Sequence, residues 1–233
     1  EETARMAVDL ANGDPIKDNY CDPIDYEVSR PLAADKTVKG LYSGGSLAAE
    51  AGMLIAEALN LGGLIKEEGY ILKTGGYEVV DLGDDVYTQG KPHPMIDPEV
   101  RIKKILECAK DPQTGVILLD CMLGYGCHPD MAGALAPAIR EAQKIAKADG
   151  RELYFVASVC GTRQDPQDYD RAVAELKECG VLVEESNARA IRLALKLKGI
   201  DYKENTRGHV EAAVDETPLP EPDEKIMELL NTK

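Results

Sequence analysis

The sequence predicts an α/β domain built on an open parallel sheet of five strands, with helices on both faces. Three observations carry this. Short apolar runs alternate five times with longer segments of helical character, the pattern of successive strand–helix units. The third run, 115–120, is almost wholly apolar, as a central parallel strand buried on both faces must be. The loops that follow the runs gather the Gly, His and Asp residues that a ligand-binding rim needs.

Taken in order, residues 1–12 suit a helix ended by Gly13, and an Asp- and Pro-rich connector follows to about residue 36. The first strand, 38–42, runs into Ser43-Gly44-Gly45-Ser46 and a helix over 47–59. The second strand, 78–82, ends in Gly83-Asp84-Asp85. A polar loop, 86–97, then leads through Pro98 at the first helical position into a helix over 99–110. After the third strand and the loop 121–129, Asp130 opens a helix to residue 148. The fourth strand, 153–159, is followed by the loop 160–167 and a helix over 168–179. A short fifth strand, 181–183, leads to Ser186, which caps a helix over 187–197. Five such units suggest the flavodoxin-like order 2-1-3-4-5, with a Rossmann half carrying extensions as the rival. The predicted division is a connector and helix over 1–36, the α/β domain over 37–200, and a tail over 201–233 punctuated by Pro218, Pro220 and Pro222.

Composition narrows the function. The net charge of −15, with one Phe and no Trp, argues against nucleic acid as a partner, because phosphate contacts need a clustered basic face. No apolar run reaches the roughly 18 residues of a membrane span. No secretory signal precedes the fold, and Glu rather than Met at position 1 suggests a piece of a longer chain. The six cysteines, at 21, 108, 121, 127, 160 and 179, form no CxxC pair and read as reduced thiols of a cytoplasmic protein. Cys121 and Cys127 beside His128 fall short of zinc-ligand spacing, so no metal is expected.

Ligands of open α/β sheets bind beyond the carboxyl ends of the strands, where strand order reverses. In the order 2-1-3-4-5 that places Ser43, Gly44, Gly45 and Ser46 opposite the loop after strand three. Main-chain N–H groups of this glycine turn at a helix start can cradle phosphate or carboxylate; the plain alternative is a tight turn capped by Ser46. It is not a Walker loop, since the Lys and the spacing are missing. His128, just before a helix, and His93, in the stiff Pro92-His93-Pro94 segment, are candidate proton carriers or carbonyl polarisers. Asp84, Asp85 and Asp97 bracket His93 and can orient an imidazole, bind an ammonium-like group or hold Mg²⁺ through water, or simply form a solvated acidic loop. After strand four, Gly161 and Thr162 offer further main-chain donors. Arg163 can clamp a carboxylate or phosphate bidentately, or pair with Asp165 on the surface. Asp120 closes strand three at the same rim.

These loops together resemble the FdrA family, which is similar to the α subunit of succinyl-CoA synthetase. The resemblance runs over about 38–197. It rests on Gly40-Leu41-Tyr42-Ser43-Gly44-Gly45-Ser46, Asp81-Leu82-Gly83-Asp84-Asp85, Gly90-Lys91-Pro92-His93-Pro94-Met95-Ile96-Asp97, His128-Pro129-Asp130, Gly161-Thr162, Asp165-Pro166-Gln167 and Ser186-Asn187-Ala188. It implies a ligase-type flavodoxin-like portion of a longer enzyme, in which CoA or a nucleotide would need another domain and this chain carries no cofactor of its own. One departure matters. The synthetases carry their phosphorylated His after the fourth strand, in a Gly-His-Ala-Gly context, whereas Cys160–Pro166 holds no His. The family also resembles a subunit of carbamoyl-transfer systems of purine catabolism. That resemblance implies phosphate-dependent carbamoyl or acyl transfer, from carbamoyl-oxamate to phosphate, within an oligomeric assembly. An acyl-CoA synthetase activity, or a non-catalytic assembly role, stands as the alternative. The partners expected are phosphate, a small anionic substrate and other domains or subunits.

Overall fold

The computed structural model describes residues 2–17, 20, 23–29, 31–65, 67–200 and 202. The predicted tail over 201–233 therefore lies, but for residue 202, outside the described residues. The elements are α1 (Glu2–Asn12), β1 (Thr37–Tyr42), α2 (Gly45–Leu59), β2 (Tyr70–Thr74), β3 (Tyr77–Asp81), α3 (Asp85–Thr88), α4 (Glu99–Lys110), β4 (Thr114–Met122), α5 (Met131–Ala148), β5 (Tyr154–Cys160), α6 (Tyr169–Glu178), β6 (Val181–Glu184) and α7 (Asn187–Leu197).

The sheet has six strands in the order β2-β3-β1-β4-β5-β6. The five strands read from the sequence are β3-β1-β4-β5-β6, parallel throughout and in the predicted order. The correction is β2, an antiparallel edge strand paired with β3. Its hairpin turns through Gly75 and Gly76, at φ of 56° and 85°. Two consecutive positive φ values are what a type I′ hairpin turn requires, and Gly-Gly supplies them without strain. That signal stands in the sequence at Thr74-Gly75-Gly76-Tyr77, where no strand was expected. A smaller correction is α2, which begins at Gly45 with Gly44 at the N-cap, so Ser46 lies inside the helix and caps nothing. Pro98 likewise stands one residue before the first turn of α4.

β4 explains why the sheet is covered on both sides. It lies between β1 and β5, with Leu119 paired to both Leu41 and Ala157. Alternate side chains point to opposite faces of a strand. Ile117, Leu119 and Cys121 enter a core with Ile105 of α4, Leu135 and Ile139 of α5 and Leu176 of α6. Val116 and Leu118 enter the other core, with Ala51 and Ile55 of α2 and Ile191 and Leu195 of α7. Ahead of β1, Ile24, Tyr26, Val28 and Leu32 pack on this second core, and Leu32 N donates to the carbonyl of Leu197 at 2.9 Å.

Candidate functional site

The rim above β1 and β4, where strand order reverses, is filled by protein. Ser43 N–H donates to both carboxylate oxygens of Asp120, at 3.1 and 2.9 Å, and the Ser43 hydroxyl donates to Asp120 Oδ2 at 2.9 Å. Arg101 reaches in from α4, its Nη2 donating to Asp120 Oδ1 at 2.8 Å and to the Asp120 main-chain carbonyl. Ser43, Asp120 and Arg101 are all fully buried. Asp120 is thus sealed inside rather than open to substrate, and the donors of Ser43 are consumed by Asp120 rather than presented to phosphate. Arg101 had not been singled out, although a signal existed. It falls on the inward stripe of α4 with Ile105, Cys108 and Ala109, where a charge is out of place unless paired.

The open chemistry lies beside this seal, between β1 and β3. The first turn of α2 has no side-chain cap. Asp84, Asp130, Asp168 and Ser186 each accept a main-chain N–H at the start of α3, α5, α6 and α7. At α4, Asp97 accepts from Glu99 N at 2.9 Å. α2 alone of these six has no side-chain acceptor on its leading N–H groups.

Two glycines bring the surrounding groups together. A Cβ on Gly45 would stand 2.9 Å from Asp81 Oδ2. A Cβ on Gly83 would meet His93 Nε2 at 2.6 Å, the Ser43 carbonyl at 2.8 Å and Asp81 Oδ1 at 3.1 Å. Met95 Cε lies 3.3 Å from the corresponding point on Gly44. Asp81, at the carboxyl end of β3, is therefore part of the cluster, although it was not among the residues expected to act. Burial, foremost, pushes its carboxyl above the ordinary value of 3.8. The Gly83 N–H and His93 oppose the rise, and Asp84 and Asp120 add to it.

The two rim histidines share one protonation geometry. His93 Nδ1 accepts from Met95 N at 3.2 Å, and His128 Nδ1 accepts from Asp130 N at 3.0 Å. A neutral imidazole whose Nδ1 accepts must carry its proton on Nε2. Each ring is thus set to donate from Nε2, and for His93 that atom faces Gly83. The strap that carries His93 crosses the rim, since His128 N donates to the Met95 carbonyl at 2.7 Å.

The loops after β4 and β5 lie side by side, because the two strands are neighbours in the sheet. The Gln167 amide accepts from Gly124 N at 2.9 Å and donates to the carbonyls of Gly124 and His128. Their predicted donors are largely engaged. Thr162 N donates to Asp165 Oδ2 at 2.6 Å, and the Thr162 hydroxyl accepts from Gln164 N. Gly161 sits where a Cβ would stand 2.6 Å from Leu123 Cβ, so close packing accounts for it. Arg163 is exposed and makes a two-bond fork with Asp170, at 2.9 and 3.0 Å, rather than with Asp165. Its guanidinium also stands 5.7 Å from the centre of the Tyr169 ring. Asp84 and Asp97 serve as helix-start acceptors, and Asp85 is exposed in the first turn of α3. Of the expected residues, the structure gathers Gly44, Gly45 and His93 into one cluster and leaves His128 and Arg163 on the neighbouring loops. Among the described residues no group of three His, Cys, Asp or Glu side chains is placed to hold a metal ion. No helix among them is long and apolar enough to cross a membrane.

The parallel order β3-β1-β4-β5-β6 and the two helical layers define a doubly wound α/β domain. Residues 41–197 match the CoA-ligase family, and the chain belongs to that family. It is also 35% identical over 184 residues to the uncharacterized protein YahF of Escherichia coli (strain K12). That match covers 72% of this chain and 36% of YahF, so the chain spans little more than a third of the length of this curated relative.

Proposed function

We propose that this chain is the ligase-type domain of an FdrA-like enzyme that passes a carbamoyl or acyl group to phosphate. The observation that carries the reading is the uncapped first turn of α2, beside a cluster in which Asp81 stands against Gly45 and His93 Nε2 against Gly83. Phosphate would sit on the leading N–H groups of α2, where the helix dipole and unpaired donors favour an anion. In the carbamoyl reaction a phosphate oxygen attacks the carbonyl carbon of carbamoyl-oxamate. His93 Nε2–H donates to the carbonyl oxygen as negative charge builds there, a contribution of about 2.7–4 kcal/mol for one well-placed donor. The C–N bond then breaks, giving carbamoyl phosphate and oxamate. No covalent phosphohistidine is needed, which agrees with the absence of His from Cys160–Pro166. CoA or a nucleotide would bind elsewhere in the longer protein, and further domains or subunits would complete the assembly.

The second reading is acyl-CoA synthesis, favoured by the CoA-ligase family match itself. The full-length protein with its partner subunits separates the two. Carbamoyl-oxamate plus labelled phosphate should yield labelled carbamoyl phosphate, and His93→Gln should lower that rate at least tenfold. Formation of acyl-CoA from acid, CoA and ATP, with no phosphate-dependent cleavage, would favour the synthetase reading instead.

A further inference from the structure

We propose that Asp81 is the proton-exchanging group of this site: it touches the bound oxyanion through Oδ2 and carries a proton between that anion and the leaving group. The inference rests on the reading of α2 as an oxyanion cradle and adds a residue and a step to it.

The geometry assigns the two carboxyl oxygens different work. Oδ1 accepts from Gly83 N at 2.9 Å and is thereby committed as an acceptor. The proton of a neutral Asp81 therefore resides on Oδ2, the oxygen that stands against the first residue of α2. With no side chain at Gly45, the carboxyl stands directly against the helix start, 2.9 Å from the point a Cβ would occupy. Gly83 does the same for the imidazole: His93 Nε2 and Asp81 Oδ1 both crowd the point where its Cβ would stand. One cluster thus holds a donor fixed by its tautomer and an acid whose free oxygen faces the cradle.

An ionised Asp81 would repel a phosphate dianion at this distance, whereas a protonated one donates to it. The charges around Asp81 are His93 on the strap, Asp84 at the start of α3 and Asp120 on β4, while the first turn of α2 contributes no acid. Burial already favours the neutral carboxyl, and an arriving anion favours it further. Docking then takes up a proton from solvent. As the phosphate oxygen bonds to the carbonyl carbon and the C–N bond breaks, its electron pair passes to nitrogen. Asp81 Oδ2 gives its proton to that nitrogen, and the hydroxyl proton of the attacking phosphate restores it. The net transfer is one proton from phosphate to the leaving amide, with no other reactant.

The test uses sulfate, whose charge is constant across the working range, so that any proton exchanged belongs to the protein. Sulfate is titrated calorimetrically into the chain at pH 7 in two buffers of different ionisation heat, which counts protons taken up per anion bound. The wild-type chain should take up a substantial fraction of a proton. Asp81→Asn, which keeps an acceptor for Gly83 N, should bind sulfate at least as tightly with no uptake, and His93→Gln should bind more weakly and retain uptake. Uptake that persists in Asp81→Asn and disappears in His93→Gln would overturn the assignment, as would sulfate binding by wild type with none. Failure of the wild-type chain to bind sulfate would remove the cradle and this inference with it. A bound anion that leaves Asp81 uncoupled refutes the inference alone.

Discussion

Replacing Arg101 by Met cuts the seal between β1 and β4 at its least replaceable point. The carboxylate of Asp120 would remain, fully buried, with only the N–H and hydroxyl of Ser43 to hold it. Breaking one partner of a buried ion pair costs about 3–5 kcal/mol, because it strands a charge away from water. For a domain of this size that is a fall of roughly 6–20 °C in Tm. The double variant Arg101→Met/Asp120→Asn should behave differently. An Asn at 120 still offers an oxygen to Ser43 N and an N–H to the Ser43 hydroxyl, and no charge is left inside. Two donors of Arg101, Nε and Nη1, lack any acceptor in the native seal, so little is lost with them. The double variant should therefore lie within about 1 kcal/mol of wild type, as apolar replacements of buried pairs do elsewhere. Urea unfolding measures all four corners of the cycle, with an unchanged m-value as the condition for comparing them. A single Arg101→Met variant as stable as wild type, or a double variant no better than the single, would refute the claim that this pair is sealed.

Three further outcomes are expected. Asp81→Asn should raise the Tm near neutral pH. The folded carboxyl titrates above its ordinary 3.8, so the folded state binds the proton more tightly than the unfolded chain. The resulting penalty is absent below the unfolded value and grows as pH rises through the folded one; the Tm gain should accordingly vanish in acid, and a gain independent of pH would contradict the assignment. Gly83→Ala should lower stability and anion affinity more than Gly45→Ala, as melting curves and sulfate titrations can compare. At Gly83 the new methyl meets the main-chain carbonyl of Ser43 at 2.8 Å, whereas at Gly45 it meets only the end of the Asp81 side chain. With a disulfide reagent at pH 8, exposed Cys160 should react ahead of Cys108 and Cys121, which are buried and pushed up to about 12. Early labelling of either buried thiol, read by mass spectrometry of the peptides, would show that the core opens.

The sequence by itself determined the class of fold and the strand order. An apolar run such as Val116–Leu119 cannot lie at an edge, and five alternating units leave few ways to cover such a strand on both sides. The edge strand β2 was equally legible at Gly75-Gly76, yet it escaped because a five-residue amphipathic strand gives a weaker periodic signal than a buried one. At the candidate site, the glycines of the first loop and the strap carrying His93 stand out in the sequence, because a helix start and a Pro-flanked His are local features. Tertiary structure decided the rest. Asp120 and Ser43 have the chemistry of ligand contacts, and only the arrival of Arg101 from α4, nineteen residues earlier in the chain, turns them inward. Arg163 reads as an anion clamp until the fold brings it to Asp170. Asp81 looked like the last residue of a strand. It becomes an acid facing a helix start because the pairing of β1 with β3 sets Asp81 against Tyr42, so the next residues of β1's chain, leading into α2, pass beside its carboxyl group. Spacing along a chain fixes which side chains share a strand or a helix face; which donor finds which acceptor across two strands depends on how those elements pack.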